Sequence, residues 1–430
     1  MSTLSQVNLP PEPHSIEETG LGLDFLADLV LKTIYTRGLL KGHEIAQAVN
    51  LPFANVVDQV LDYLRHEHLT EVRGSAGFGE SSYQHVISED GRTRARELME
   101  QNQYIGPAPV QLDEYTQMVK RQALTGQPLT RATLQDTLKD LVISNDIISE
   151  LGPAINSGKS IFLFGHPGNG KTSISEAIGQ SLPGAIWIPY AVSVHESIIR
   201  VFDGLHHCEI PEATAPAETP RRYDRRWVLI RRPLISVGGE LRLSSLELVY
   251  DPTKKFYEAP YQMKANGGAF LMDDFGRQPV SPRELLNRWI VPLEKRVDYL
   301  TLATGHKINV PFDVLIIFAT NLNPKDLVDE AFLRRIRYKI QVADPTWDEF
   351  REIFRRETAK RTIPYAEDGL RYLVMEYYIK GNRKPRGVHP RDILDELVDI
   401  ARFEGVRPTL SKELIDRACR AYFIKDESTK

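Results

Sequence analysis

Two short stretches of the sequence hold the residue types that phosphate chemistry needs. The first is GHPGNGKTS, Gly165 to Ser173. Gly165, four residues, then Gly170-Lys171-Thr172 is the spacing of a phosphate-binding loop. Gly165, Gly168 and Gly170 let the backbone turn until successive N–H groups point at phosphate oxygens. His166, Pro167, Asn169 and Ser173 complete the loop. Lys171 brings a point charge to the β and γ phosphates, and Thr172 brings a hydroxyl to Mg²⁺. The second stretch is AFLMDDFGRQ, Ala269 to Gln278. Four apolar residues run straight into two carboxylates, as at the end of a buried strand that delivers them to a site. Asp273 is placed to hold Mg²⁺ through water, and Asp274 to orient or deprotonate an attacking water.

These groups need elements to position them. IFLF, residues 161–164, is an apolar run of the length of a buried parallel strand. SISEAIGQSL after the loop has a helical pattern, so a helix N-terminus also faces the phosphates. AFLM, 269–272, reads as a second buried strand, and RELLNRWIVPLEKR after it as an amphipathic helix. VLIIFATNLNP gives a third apolar strand, ending in Asn321. DEAFLRRIRYKI follows, and GVHPRDILDEL places Arg391 at a helix start.

That order of motifs resembles the AAA+ ATPases, over roughly two-thirds of the chain, residues about 131–425. The resemblance implies a P-loop α/β core with a parallel sheet and a C-terminal all-α lid. It implies ATP and Mg²⁺ as cofactors and hydrolysis by attack of water on the γ-phosphate. Asn321 matches the position whose amide reaches the γ-phosphate or the water. Arg334 and Arg335 match the segment that presents arginine fingers to a neighbouring subunit, which implies a homo-oligomer, most often a hexameric ring; spacing does not choose between the two. Arg391 resembles the lid arginine that reports the γ-phosphate. KANGGAFLMDDFGRQ is most similar to the branch that includes MoxR-type proteins, magnesium chelatases and enhancer-binding activators. The activators' loop signature for gripping sigma factor is absent. The chain departs from the pattern at Asp274, where the family usually has Glu. One methylene less of reach costs a positioned reaction up to ~10²-fold, so slow turnover is expected. The other motif residues argue for an active enzyme.

The rest of the chain is less specific. Residues 1–20 read as a mobile tail and 21–102 as three helices with a two-stranded wing, similar to a winged-helix domain. Its third helix, expected to open at Pro52, sets Asp58, Asp62 and Glu67 against Arg65. A DNA-reading helix needs the opposite balance, so a protein-docking or oligomer-stabilising module is the leading expectation. Residues 103–130, with Pro107, Pro109 and Pro128, read as a linker with one short helix. The core is expected over 131–344, with an insertion at about 205–262, and the lid over 345–430. In the insertion, seven arginines stand against two acids between Arg221 and Arg242, with Tyr223 and Trp227 interleaved and a turn at Gly238-Gly239. A solvated hairpin, a partner-gripping loop and a nucleic-acid grip all stand as readings.

The bulk numbers narrow the class. The 430 residues are 42% hydrophobic and 26% charged, which fits a folded chain of two or three domains. A net charge of -4 gives no global pull toward nucleic acid or acidic membranes. No apolar run approaches the ~18–20 residues of a membrane helix, and the N-terminus lacks a signal pattern. Two distant cysteines fit a reducing cytoplasm. The function expected is ATP hydrolysis coupled to remodelling of a macromolecular partner, a protein before nucleic acid. A DNA-acting motor and a nucleotide-gated assembly switch are the alternatives.

Overall fold

In the computed structural model, residues 9–75, 77–126, 128–211, 222–327 and 333–423 are described. The chain divides into two compact units. One comprises Met1–Pro128, Leu182–Phe270 and Glu284–Leu315; the other comprises Leu129–Ser181, Leu271–Arg283 and Ile316–Lys430.

In the first unit the helix Leu23–Arg37 forms because Leu26, Leu29, Val30 and Ile34 recur at helical spacing and are all buried. It stops at Gly38, whose φ of 83° takes the chain out of the helix. The helix Gly42–Val49 follows. A third helix was expected from Pro52, but the regular helix is Asp58–His66. Asn55 sits at φ 64°, and its N–H is held by the Asp58 carboxylate at 2.9 Å, so the local side-chain bond outcompetes an earlier start. Strands Thr70–Ser75 and Tyr83–Ile87 pair antiparallel, and Leu40–Lys41 adds to the other side of Tyr83–Ile87. The helix Glu89–Gln101 closes this module, with the Ser88 hydroxyl accepting from Gly91 N at 2.9 Å.

Three expectations are corrected in this unit. The tail expected at 1–20 is packed from residue 9 onward. Pro10 and Thr19 are buried, and the Thr19 carbonyl accepts from Arg226 Nη1 at 2.7 Å. The 103–130 stretch holds the expected short helix, Leu112–Arg121, but the stretch is packed and not a linker. Tyr104, Ala108, Val110, Tyr115 and Met118 are buried, and Val110–Gln111 pairs with the strand Ala191–Val194. The insertion turns at Gly238-Gly239 as expected, with Leu241 N donating to the Gly238 carbonyl at 3.3 Å, but the turn leads into the short helix Leu243–Leu246 and not into the return strand of a hairpin. Its strands are Trp227–Arg231 and Leu234–Val237, so the break falls at Arg232-Pro233. Proline cannot donate to a ladder, and Arg232 is drawn inward. Arg232 donates to the carbonyls of Pro183 at 2.6 Å, Gly267 at 2.5 Å and Gln122 at 3.1 Å.

The insertion's arginines and aromatics are therefore partly structural. Arg226 is 1% exposed and bonds the Asp224 carboxylate with Nε and with Nη2 at 2.7 Å. Trp227 is buried, and the Tyr223 ring packs on Trp187 at 4.9 Å. The Trp227 ring is thereby closed to a stacking base, and the Tyr223 ring is half-buried. Arg221 lies outside the described residues.

In the second unit four strands lie in the order Ala269–Met272, Leu315–Thr320, Ile161–Phe164 and Tyr338–Gln341. The last three are parallel, with Thr320 and Gln341 both level with Phe164. Of these, Leu315–Thr320 and Ile161–Phe164 are near-unbroken apolar runs, as in strands covered on both faces, while Tyr338–Gln341, at the sheet edge, alternates apolar and polar residues. Their carboxyl ends therefore share one edge, the edge where open parallel sheets place ligands. The chain then becomes all-helical: Trp347–Lys360, Glu367–Leu373, His389–Phe403 and Lys412–Tyr422. Thr346 and Glu349 form a capping box at the first of these, with Glu349 accepting from Thr346 N at 2.8 Å. Phe350, Phe354, Leu373, Ile393, Leu397 and Ile415 form its core. The architecture is α/β with a parallel sheet and an all-α C-terminal region. Among the described residues no helix is long and apolar enough to cross a membrane.

Candidate phosphate-binding site

The buried strand Ile161–Phe164 feeds directly into the glycine-rich loop, and the helix Lys171–Ser181 leaves it. Two glycines are required by geometry. Gly165 has φ 148°, and a Cβ there would lie 2.2 Å from the Val342 carbonyl oxygen. Gly168 has φ 82°, and a Cβ there would lie 2.4 Å from Val388 Cγ1. Pro167, Gly170 and Ser173 are exposed on the loop.

Lys171 is 7% exposed. Its ammonium donates to the carbonyls of Gly165 at 3.1 Å and His166 at 2.9 Å, and to Asn321 Oδ1 at 2.6 Å. Burial pushes its pKa below the usual lysine value, while Asp273 and Asp274 pull it back up. The other end of the Asn321 amide donates to Asp274 Oδ1 at 3.1 Å. The Thr172 hydroxyl donates to Asp273 Oδ2 at 2.7 Å, and Asp273 Oδ1 accepts from Asp274 N at 2.9 Å. Three chain segments, 101 and 47 residues apart in order, thus meet at one strand edge. Asp274 is exposed, at φ 48°, a left-handed conformation that aspartate tolerates better than most residues. That turn points its carboxylate at Asn321 rather than back along the strand.

The donor set suits a hard cation. Among the described residues no three His, Cys, Asp or Glu side chains converge. One hydroxyl and one carboxylate are what Mg²⁺ takes from protein when phosphates and water supply the rest. Thr172 and Asp273 fit that role.

The arginines expected from sequence are distributed differently. Arg391 is bonded through Nε to Asp392 at 2.9 Å, with its side chain 59% exposed. Arg334 is exposed and Arg335 half-buried; residues 328–332 just before them lie outside the described residues. Arg288, on the helix Pro282–Lys295, is in an ion pair with Asp298 at 2.6 Å.

Two residues that sequence reasoning missed sit against the loop. Asp344 Oδ1 accepts from His166 Nδ1 at 3.0 Å, Asn169 Nδ2 at 2.8 Å and Arg386 Nη1 at 2.8 Å. The Asn169 side-chain Oδ1 accepts from Gly387 N at 3.3 Å. The only sequence signal was weak: a carboxylate three residues past a strand end, and an Arg-Gly pair ahead of a helix.

Comparisons with known proteins add the following. The family described as "Domain of unknown function (DUF8689)" matches residues 346–421, the helical C-terminal region. No curated protein matches the sequence. Among solved structures, NtrX from Brucella abortus in complex with ADP is 16% identical with a TM-score of 0.39. The match covers 65% of this chain and 56% of NtrX, so this chain spans little more than half of that one. The RuvB Holliday junction branch migration motor of Thermotoga maritima is 12% identical with a TM-score of 0.39, over 69% of this chain and 76% of that one. At such scores the likeness decides nothing about activity.

Proposed function

We propose that this chain is an ATPase of the AAA+ type, which binds ATP with Mg²⁺ on the 165–173 loop, hydrolyses the γ-phosphate as a homo-oligomer, and couples turnover to remodelling of a protein partner. The observation that carries the reading is the meeting of Lys171, Thr172, Asp273, Asp274 and Asn321 in one hydrogen-bonded set at the strand ends. Such a set has a phosphate ligand, a metal ligand and a carboxylate for water, each in hydrogen-bond reach of the next.

Each residue has a distinct task. Lys171 Nζ exchanges its two loop carbonyls for β and γ phosphate oxygens and balances their charge. Thr172 and Asp273 would hold Mg²⁺, which would supply positive charge against the phosphates. Asp274 Oδ1 is tied to Asn321, which leaves Oδ2 to accept a hydrogen bond from water. As the water oxygen bonds to the γ-phosphorus, the bond from phosphorus to the β–γ bridging oxygen breaks. The water proton passes to Asp274, and the bridging oxygen leaves with its electron pair on ADP. Arg334 or Arg335 of a neighbouring subunit stabilises the transferred charge.

We further read residues 21–102 as a winged-helix-like docking module, 131–344 as the nucleotide core and 345–430 as the lid. A protein partner is favoured over nucleic acid. Arg65, the basic residue of the third helix, is bonded to Asp62 at 2.8 Å, and Arg226, Arg232 and Trp227 are buried. Cys208 and Cys419 are free thiols, in keeping with a reducing cytoplasm. The test is ATP binding and phosphate release by the wild type beside Lys171→Ala, which is expected to lose both. Binding without release, even with added candidate partners, replaces hydrolysis with a nucleotide-gated assembly switch.

A further inference from the structure

One carboxylate beside the loop gathers three donors from two different places in the chain. Asp344 Oδ1 accepts from His166 and Asn169 of the loop and from Arg386, just ahead of the helix His389–Phe403. Its side chain is 17% exposed and that of Arg386 24%. Asp344 is brought there by the sheet. Val342 N donates to the Phe164 carbonyl at 2.8 Å, continuing the parallel register two residues before Asp344. The backbone completes the tie, through Gly387 N on Asn169 and Val388 against Gly168.

The arrangement is odd for a loop that must receive a polyanion. A carboxylate there repels phosphate and occupies donors that phosphate wants. Its three N–H partners are what one phosphate oxygen would collect. Burial raises the Asp344 carboxyl, but the Asn169 and His166 donors and the Arg386 charge outweigh it and hold it below the usual aspartate value. It is therefore charged at neutral pH.

We propose that Asp344 is a latch: it stands in for a phosphate oxygen, holding the loop and Arg386 together until the nucleotide's own phosphates compete Arg386 away. Asp344 is then a positioning residue that acts through Arg386 and Asn169. It sets nucleotide affinity from the wrong side, by competing with the ligand. This rests on the loop being a nucleotide site, as proposed above. A purely structural Asp344 makes the opposite demand, since its loss then loosens the loop and weakens binding.

The sign of one measurement separates these. The affinity for ADP and for a non-hydrolysable ATP analogue with Mg²⁺ is measured for the wild type, Asp344→Asn, Asp344→Ala, Arg386→Ala and Asp344→Asn/Arg386→Ala. Both Asp344 variants are expected to bind about fivefold more tightly, the scale of releasing one partly exposed ion pair. Arg386→Ala is expected to bind more weakly, and Asp344→Asn to gain less in its background than alone. A wild type that binds while neither Asp344 variant binds more tightly overturns the latch alone. A wild type that binds no nucleotide overturns the site reading and the latch with it.

Discussion

Asp274→Asn isolates the proposed base with little other disturbance. The side chain keeps its shape. Its Oδ1 keeps the bond from Asn321 Nδ2 that spans 3.1 Å in the wild type, and the backbone bond from Asp274 N to Asp273 Oδ1 at 2.9 Å is untouched. Asparagine also tolerates the φ of 48° at this position. The position is exposed, so a stability change within about 0.5 kcal/mol is expected. What is lost is the second oxygen's capacity to take a proton from water. General-base loss costs about 10²- to 10⁴-fold, or roughly 3–5 kcal/mol of barrier. The assay is phosphate release at saturating ATP and Mg²⁺, with nucleotide affinity measured separately. The variant is expected to bind as the wild type does and to release phosphate at least about 100-fold more slowly. Release within about threefold of wild type, or a fall in affinity that accounts for the whole loss, refutes the role given to Asp274.

Three further outcomes follow from other parts of the molecule. Asp224→Ala leaves Arg226 charged and 1% exposed, with Glu114 at 3.7 Å as a partial substitute; a loss of about 3 kcal/mol is expected in chemical unfolding, and a loss below about 1 kcal/mol counts against the pair's structural role. Burial depresses His207 and His389 to about 4 each. Both are thus neutral in the folded chain where the unfolded chain already takes a proton, so stability is full above about pH 6.5 and falls as pH drops toward 4. Melting curves from pH 8 to 4.5 check this, and a midpoint that stays flat or rises on acidification contradicts it. Gly168→Ala forces a side chain onto φ 82° and against Val388; about tenfold weaker nucleotide binding is expected, with Val388→Ala restoring only part because the backbone strain remains.

Much of the site was legible in the sequence because its residues sit at the ends of apolar runs. IFLF, AFLM and LIIFAT are too apolar and too short for anything but buried strands, so Gly165, Asp273 and Asn321 had to emerge at an edge. Parallel pairing brings those edges together. The Asp344–Arg386 contact was not legible. It joins positions 42 residues apart through the placement of a helical region on a loop, and neither residue stands in a motif. The insertion failed for a related reason. Arg226 and Arg232 look like solvent-facing charge in a linear reading, yet each is satisfied internally by partners distant in sequence: carbonyls for both, and for Arg226 the neighbouring Asp224 as well. The third helix was misplaced by one local bond, from Asn55 N to Asp58, that periodicity does not register. The linker and tail expectations rested on proline content, which marks irregular backbone but does not say whether that backbone is packed.

The central claim is that the Lys171–Asn321–Asp274 set turns over ATP and is completed by a neighbouring subunit. The most direct measurement is phosphate release per subunit by the full chain across a protein concentration series, with Mg²⁺ present and with it chelated. The account predicts turnover per subunit that rises with concentration to a plateau and is lost on chelation. Bound ATP with no phosphate released at any concentration contradicts it.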